Sequence, residues 1–148
     1  MENKNIYILC YFMLLVSSCT VLKTVQEETP FVTVVKLIDA EQALDLENAK
    51  QYIDVDQVYR KLGSENPQDD WEKQIRFFYD IGKDKKFTND FGYRNYEIRE
   101  IISGNTASVC FKAKKDNASI KTITYGLEKR QKKWIVVSIY YCKSSQDC

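Results

Sequence analysis

Histidine is absent from this chain of 148 residues. That removes the commonest general base near neutral pH and the commonest metal ligand. It also rules out any serine–histidine or cysteine–histidine nucleophile. Cysteine is sparse and badly spaced for a metal: Cys110, Cys142 and Cys148 show no paired-ligand spacing, so no metal is expected. Five cysteines, two of them near the N-terminus, do not form a disulfide framework in a chain of this length. No internal repeat or low-complexity segment is visible. The longest apolar run, Ile6 to Val16, is too short to cross a bilayer as a helix, which needs roughly 20 residues. Charge of one sign is also missing overall, with 22 basic and 21 acidic residues.

The charge is uneven along the chain. Acidic residues dominate from Glu27 to Glu72, and basic ones from Lys112 to Lys133. The lysines fall at hairpin tips and on alternating strand positions, where solvated charge blunts sheet edges. They are read that way, and no nucleic acid is expected as a partner.

The N-terminus carries the clearest signal. Lys4 and the amino group precede the apolar run, which ends in Ser17-Ser18-Cys19. This is the layout of a secretory signal peptide. Leu15-Val16-Ser17-Ser18-Cys19 resembles the lipobox of bacterial lipoproteins. The resemblance implies cleavage of residues 1–18, thioether lipidation of Cys19 and acylation of its amine. Several acyl chains anchor a protein durably where one is marginal. Thr20, rather than an aspartate, follows Cys19, and by the same resemblance that favours the outer membrane, facing the periplasm. Residues 19–28 are then a lipidated tether, 29–142 a single domain, and 143–148 a C-terminal tail.

Within the domain the apolar period is first helical. Thr29-Pro30 supplies an N-cap and a first-turn proline, and Phe31, Val34, Val35 and Ile38 recur at helical spacing to about Leu44. A second helical stretch involves Ala49, Tyr52 and Ile53 and restarts at Asp54, with Gln57 three residues on as in a capping box. Gly63 is its stop. Asn66-Pro67 opens a third helix with Trp71, Ile75, Phe78 and Tyr79 on one face, ended by Gly82. Lys83 to Lys86 form a charged turn, and Phe87, Phe91 and Tyr93 an aromatic connection.

The period then becomes two. Strands are expected around Tyr96 and Ile98, from Ala107 to Ala113, from Ile123 to Leu127 and from Trp134 to Tyr141. Their turns fall at Ser103-Gly104-Asn105, Lys115-Asp116-Asn117 and Arg130-Gln131. Helices first and a meander last predict an α+β fold: three N-terminal helices packed on a curved four-stranded antiparallel meander. A turn at Arg130-Gln131 pairs Leu127 with Trp134 and Tyr125 with Val136. Strict alternation then puts Ile135, Val137, Ile139 and Tyr141 on the back of the sheet, an apolar face that needs a cover, with a second copy as the expected one. Under this register Cys110 and Cys142 leave opposite faces and stay unbridged. Cys142 with Cys148 is the only easy pair, and Cys110 is then a buried thiol.

The order of these elements resembles the cone-shaped, cystatin-like superfamily that includes nuclear transport factor and ketosteroid isomerase. It is more closely similar to the lipoprotein families related to lumazine-binding-like domains. The carrying residues are Phe31 to Leu44, Asp45-Leu46-Glu47-Asn48-Ala49-Lys50-Gln51-Tyr52, Gly104-Asn105-Thr106-Ala107-Ser108-Val109 and Lys132-Lys133-Trp134-Ile135-Val136. The resemblance implies a pocket between the helices and the curved sheet, lined by Trp71, Phe78, Tyr79, Tyr96, Phe111, Tyr125 and Trp134. Each of these aromatics taken singly reads as core packing. The expected function is a lipid-anchored, non-catalytic envelope domain that binds a small apolar ligand or a protein partner. The alternatives are an enzyme with a carboxylate–tyrosine site in that pocket, or an assembly module acting through the back of the sheet. Asp80 beside Tyr79 is the nearest imitation of a carboxylate–tyrosine site. No cofactor and no catalytic residue is indicated.

Overall fold

Thr29 opens the first helix as expected: its Oγ1 accepts the Val32 N–H at 3.2 Å, ahead of Pro30. A computed structural model describes residues 27–83, 95–114 and 121–142. They form α1 (Pro30–Gln42), α2 (Leu46–Ala49), α3 (Val55–Lys61), α4 (Pro67–Lys83), β1 (Tyr96–Ser103), β2 (Thr106–Ala113), β3 (Thr122–Arg130) and β4 (Lys133–Cys142). The fold is α+β, with one antiparallel sheet in the order β1-β2-β3-β4.

α1 has no acidic residue in its own first turn. Glu100 of β1 supplies one instead, accepting the Phe31 N–H at 2.7 Å, which satisfies an otherwise orphaned donor at the positive end of the helix. The helix stops at Gln42, two residues short of the expected end, because Leu44 takes a positive φ of 59°. Asp45 then caps the single turn α2, a fourth helical element that ends at Ala49; Tyr52 and Ile53, expected in the second helical stretch, follow in a turn and an isolated bridge and are not helical. Asp54 caps α3 by accepting the Gln57 N–H at 3.0 Å. The reciprocal half of the box is absent: the Asp54 N–H donates to Val136 O, and the Gln57 side chain accepts from Arg130. Gly63, at φ 89°, ends α3 in a Schellman motif, with Gly63 N–H on Arg60 O and Ser64 N–H on Tyr59 O. α4 runs through Gly82, which therefore does not end it. The charged turn and aromatic connection expected after it, and the turn at Lys115-Asp116-Asn117, lie outside the described residues.

The β3–β4 hairpin corrects the expected register. Its turn is Gln131-Lys132, both at positive φ (49° and 69°), the signature of the type I′ turn that matches strand twist. Leu127 therefore faces Val136, not Trp134. A second shift follows at Gly126, which faces Ser138 and leaves Val137 as an extra residue. A Cβ on Gly126 would collide with Ser138 Oγ, so glycine fits this crowded site.

The bulge moves Ile139 and Tyr141 onto the helix side, opposite Tyr125 and Ile123. Ile135 stays on the back, opposite Glu128. The four residues expected to form one apolar back face are thus divided between the two sides. Ile123, Tyr125, Leu127, Trp134, Val136, Val109 and Phe111 do form the buried face under the helices.

β4 is not left as an open edge. Ile53 bridges Val136 in parallel, with Asp54 N–H on Val136 O at 2.9 Å and Val136 N–H on Tyr52 O at 2.8 Å. Lys61 Nζ donates to the carbonyl of the bulged Val137 at 3.1 Å. Arg130 clamps the hairpin base to α3 through Asp54 Oδ2 and Gln57 Oε1, each at 2.7 Å.

Cys110 is disulfide-bonded and Cys142 is free. The two are therefore not bridged to each other, as expected, but for a different reason. Both lie on the back of the sheet, Cys110 opposite Thr124 and Cys142 opposite Thr122. They are separated by two strand spacings and two residues along β4, well beyond the roughly 7 Å that a disulfide spans. The expected buried thiol at Cys110 is corrected, and its partner lies outside the described residues.

Candidate functional site

The seven aromatics expected to line a pocket have three fates. Trp71 and Phe111 are fully buried and Tyr125 nearly so. Phe111 sits at the centre of an aromatic cluster with Phe31, Tyr96 and Tyr125, with centroids 5.7–6.4 Å apart. Phe78 is half exposed on α4 beside Phe77, and Tyr79 is partly buried. Only Trp134 borders the cleft described next.

That cleft, about 830 Å³, lies between the start of α1, the segment after α2 and the β3–β4 hairpin. Its lining includes Thr33, Tyr52, Trp134, Lys129, Lys132 and Lys133, with Glu27 and Glu28 at one side. The hairpin explains the lysines. A tight two-residue turn places Lys132 and Lys133 at the tip, and Lys129 faces Trp134 across the strands. Opposed residues share a side of the sheet, so Lys129 lies over the Trp134 ring, 5.5 Å from its centroid. Lys36 of α1 lies similarly over Tyr52, at 5.9 Å. Both arrangements are cation–π contacts. Each ammonium also meets a glutamate: Lys129 with Glu27 at 2.8 Å, and Lys36 with Glu28. The Glu28 hydrogen bond holds the Lys36 ammonium above its usual pKa against the opposing effect of desolvation.

A second cluster joins four elements around Glu41, in the last turn of α1. Trp71 of α4 donates its indole N–H to Glu41 Oε1 of α1 at 2.9 Å. Burial raises the Glu41 carboxyl to about 7, against the opposing effect of that hydrogen bond. Tyr59 of α3 donates to Gln74 Oε1 at 2.8 Å, and Gln74 also bonds Tyr141 of β4. Burial first, and then the nearby Glu41, raise both phenols, Tyr141 to about 12. Tyr141 keeps nearly half its surface exposed although burial is the main cause of its raised pKa.

A carboxylate–tyrosine cluster therefore exists, but on Glu41 rather than Asp80, which is exposed. The signal that could have found it is the stripe Val34, Leu37, Ile38, Glu41, which places one carboxylate at helical spacing on a buried face. The described cleft does not reach this cluster, whose groups satisfy one another at a helix–helix contact. Among the described residues no group of acidic side chains and cysteines is placed to hold a metal ion.

No protein-family model, curated protein or solved structure matches the chain.

Proposed function

We propose that the domain is a lipid-anchored, non-catalytic binding module of the bacterial cell envelope, and that its ligand sits in the cleft against Trp134 and Tyr52. The observation that carries this reading is the cleft itself. It is large enough for a small molecule, has two aromatic faces, and is ringed by cationic groups that fix orientation. Trp71, Phe111 and Tyr125, three of the aromatics expected to line a pocket, are instead buried in packing.

Non-catalytic function fits the placement of the ionisable groups. The carboxyl tuned near neutrality, Glu41, is held by Trp71 away from the cleft. In the cleft the carboxylates of Glu27 and Glu28 are tied to Lys129 and Lys36 in ion pairs, and the remaining lysines and aromatics bind and orient. Attachment through Cys19 rests on the order of charge, apolar run, small residues and cysteine at the N-terminus.

Native mass spectrometry of the full chain extracted from its own membranes tests the reading. The expected result is a bound small molecule whose occupancy falls in Lys132→Gln/Lys133→Gln. A ligand retained undiminished by that variant would place the binding site elsewhere.

A further inference from the structure

Two aromatic faces in the cleft are covered in the same way. Lys129 overlies Trp134 and its ammonium is held by Glu27; Lys36 overlies Tyr52 and its ammonium is held by Glu28. The two glutamates are adjacent and immediately precede the cap of α1. One short acidic segment thus supplies both anions. On the opposite side Lys132 and Lys133 line the cleft and form no ion pair among the described residues. Positive φ at Gln131 and Lys132 fixes the turn that holds them there.

We propose that the cleft recognises a carboxylate-bearing ligand with a flat apolar body, and that Glu27 and Glu28 occupy its anion positions until such a ligand displaces them. This rests on the reading of the cleft as the binding site. The chain's own carboxylates show what the lysines accept. The faces of Trp134 and Tyr52 behind those lysines provide a surface for a planar group once the ion pairs part. Both ion pairs are partly exposed, and such pairs are weak and exchange readily. A ligand carboxylate therefore replaces an equivalent group rather than breaking a strong contact. Lys132 and Lys133 add attraction that the chain's own segment does not use. The net effect is an intramolecular competitor: the acidic segment keeps the cleft closed to weak anions and yields to one that also stacks.

The test uses naphthalene-2,6-dicarboxylate as the probe, titrated into the full chain by calorimetry in detergent. Glu27→Gln/Glu28→Gln should bind it about fivefold more tightly than the wild type. Binding should weaken with added salt, and neutral naphthalene-2,6-dimethanol should not bind. Lys132→Gln/Lys133→Gln should lose affinity in either background. If the wild type and the glutamate variant bind equally, and both depend on the lysines, the cleft is a ligand site but the segment is not its competitor, which overturns this inference alone. Equal binding of the neutral diol overturns the carboxylate class. If no form binds the probe, the inference fails; a co-purified ligand sensitive to Lys132 and Lys133 would leave the cleft reading standing, and its absence would end that as well.

Discussion

Trp71 donates its indole N–H to a carboxyl of Glu41 that burial lifts to about 7. The folded state therefore holds a proton that the unfolded chain gives up near 4.5. For a raised pKa, stability is full below the unfolded value and is lost as pH rises through the folded one. Between about 4.5 and 7 the protein should become less stable with rising pH, and the loss should level off above that. Tyr59, Tyr141 and Trp71 face Glu41 from α3, β4 and α4, and none carries a positive charge to reverse the sign. Glu41→Gln keeps an acceptor for Trp71 and removes the titration. It should flatten this slope and raise stability at pH 8 by about 1–3 kcal/mol, as read from urea midpoints at pH 5 and 8.

Asp54 titrates in the opposite sense. Desolvation alone would raise its pKa, but hydrogen bonds from Arg130 and the Gln57 N–H outweigh it and lower the value. Its contribution is present above the ordinary carboxylate range and is lost as pH falls through the depressed value. Asp54→Ala removes the α3 cap and the clamp to the hairpin together. A loss of about 1–2 kcal/mol is expected, and Asp54→Asn, which keeps a capping oxygen, should lose less. Equal losses in chemical denaturation would mean that the ion pair, not the cap, holds the junction.

The outline of the fold was legible because its signals are local. Thr29-Pro30, Asp54 with Gln57, Gly63 and the switch of apolar period at Tyr96 each act through near neighbours. The register of β4 was not legible. Gln131-Lys132 carries no glycine or asparagine to announce a type I′ turn, and a bulge at Val137 is hard to see in a run that is apolar at every position but Ser138. One error in alternation then placed Ile139 and Tyr141 on the wrong side. The cleft was half legible: Trp134 was named, but Lys129 over its ring depends on the same register, and Glu27 was read as plain tether.

The disulfide at Cys110 makes a covalent prediction. Cys110 lies on the back of the sheet, and it is buried there together with Thr122 and Ser138. On the lipoprotein reading proposed above, Cys10 and Cys19 belong to the leader and its processing site. Cys148 follows the end of β4 by six residues, enough to span about 20 Å, and Cys110 is two strands away. Non-reducing peptide mapping should link Cys110 to Cys148. A link to Cys19 would instead show that this cysteine is not lipidated.

Lipidation itself is checked by fractionation. Cys19→Ala should release the domain from membranes or leave an unprocessed precursor of higher mass. A variant that fractionates and migrates like the wild type would contradict the lipobox reading of the LVSSC stretch.

The chain has only two tryptophans, and each marks one of the two clusters. Their indole N–H resonances, assigned with Trp134→Phe, give separate reports from the cleft and from the Glu41 cluster during titration with naphthalene-2,6-dicarboxylate. The account predicts that the Trp134 signal moves and saturates while the Trp71 signal, held on Glu41, stays in place. Movement of Trp71 with Trp134 unchanged would put the ligand at the carboxylate–tyrosine cluster and contradict it.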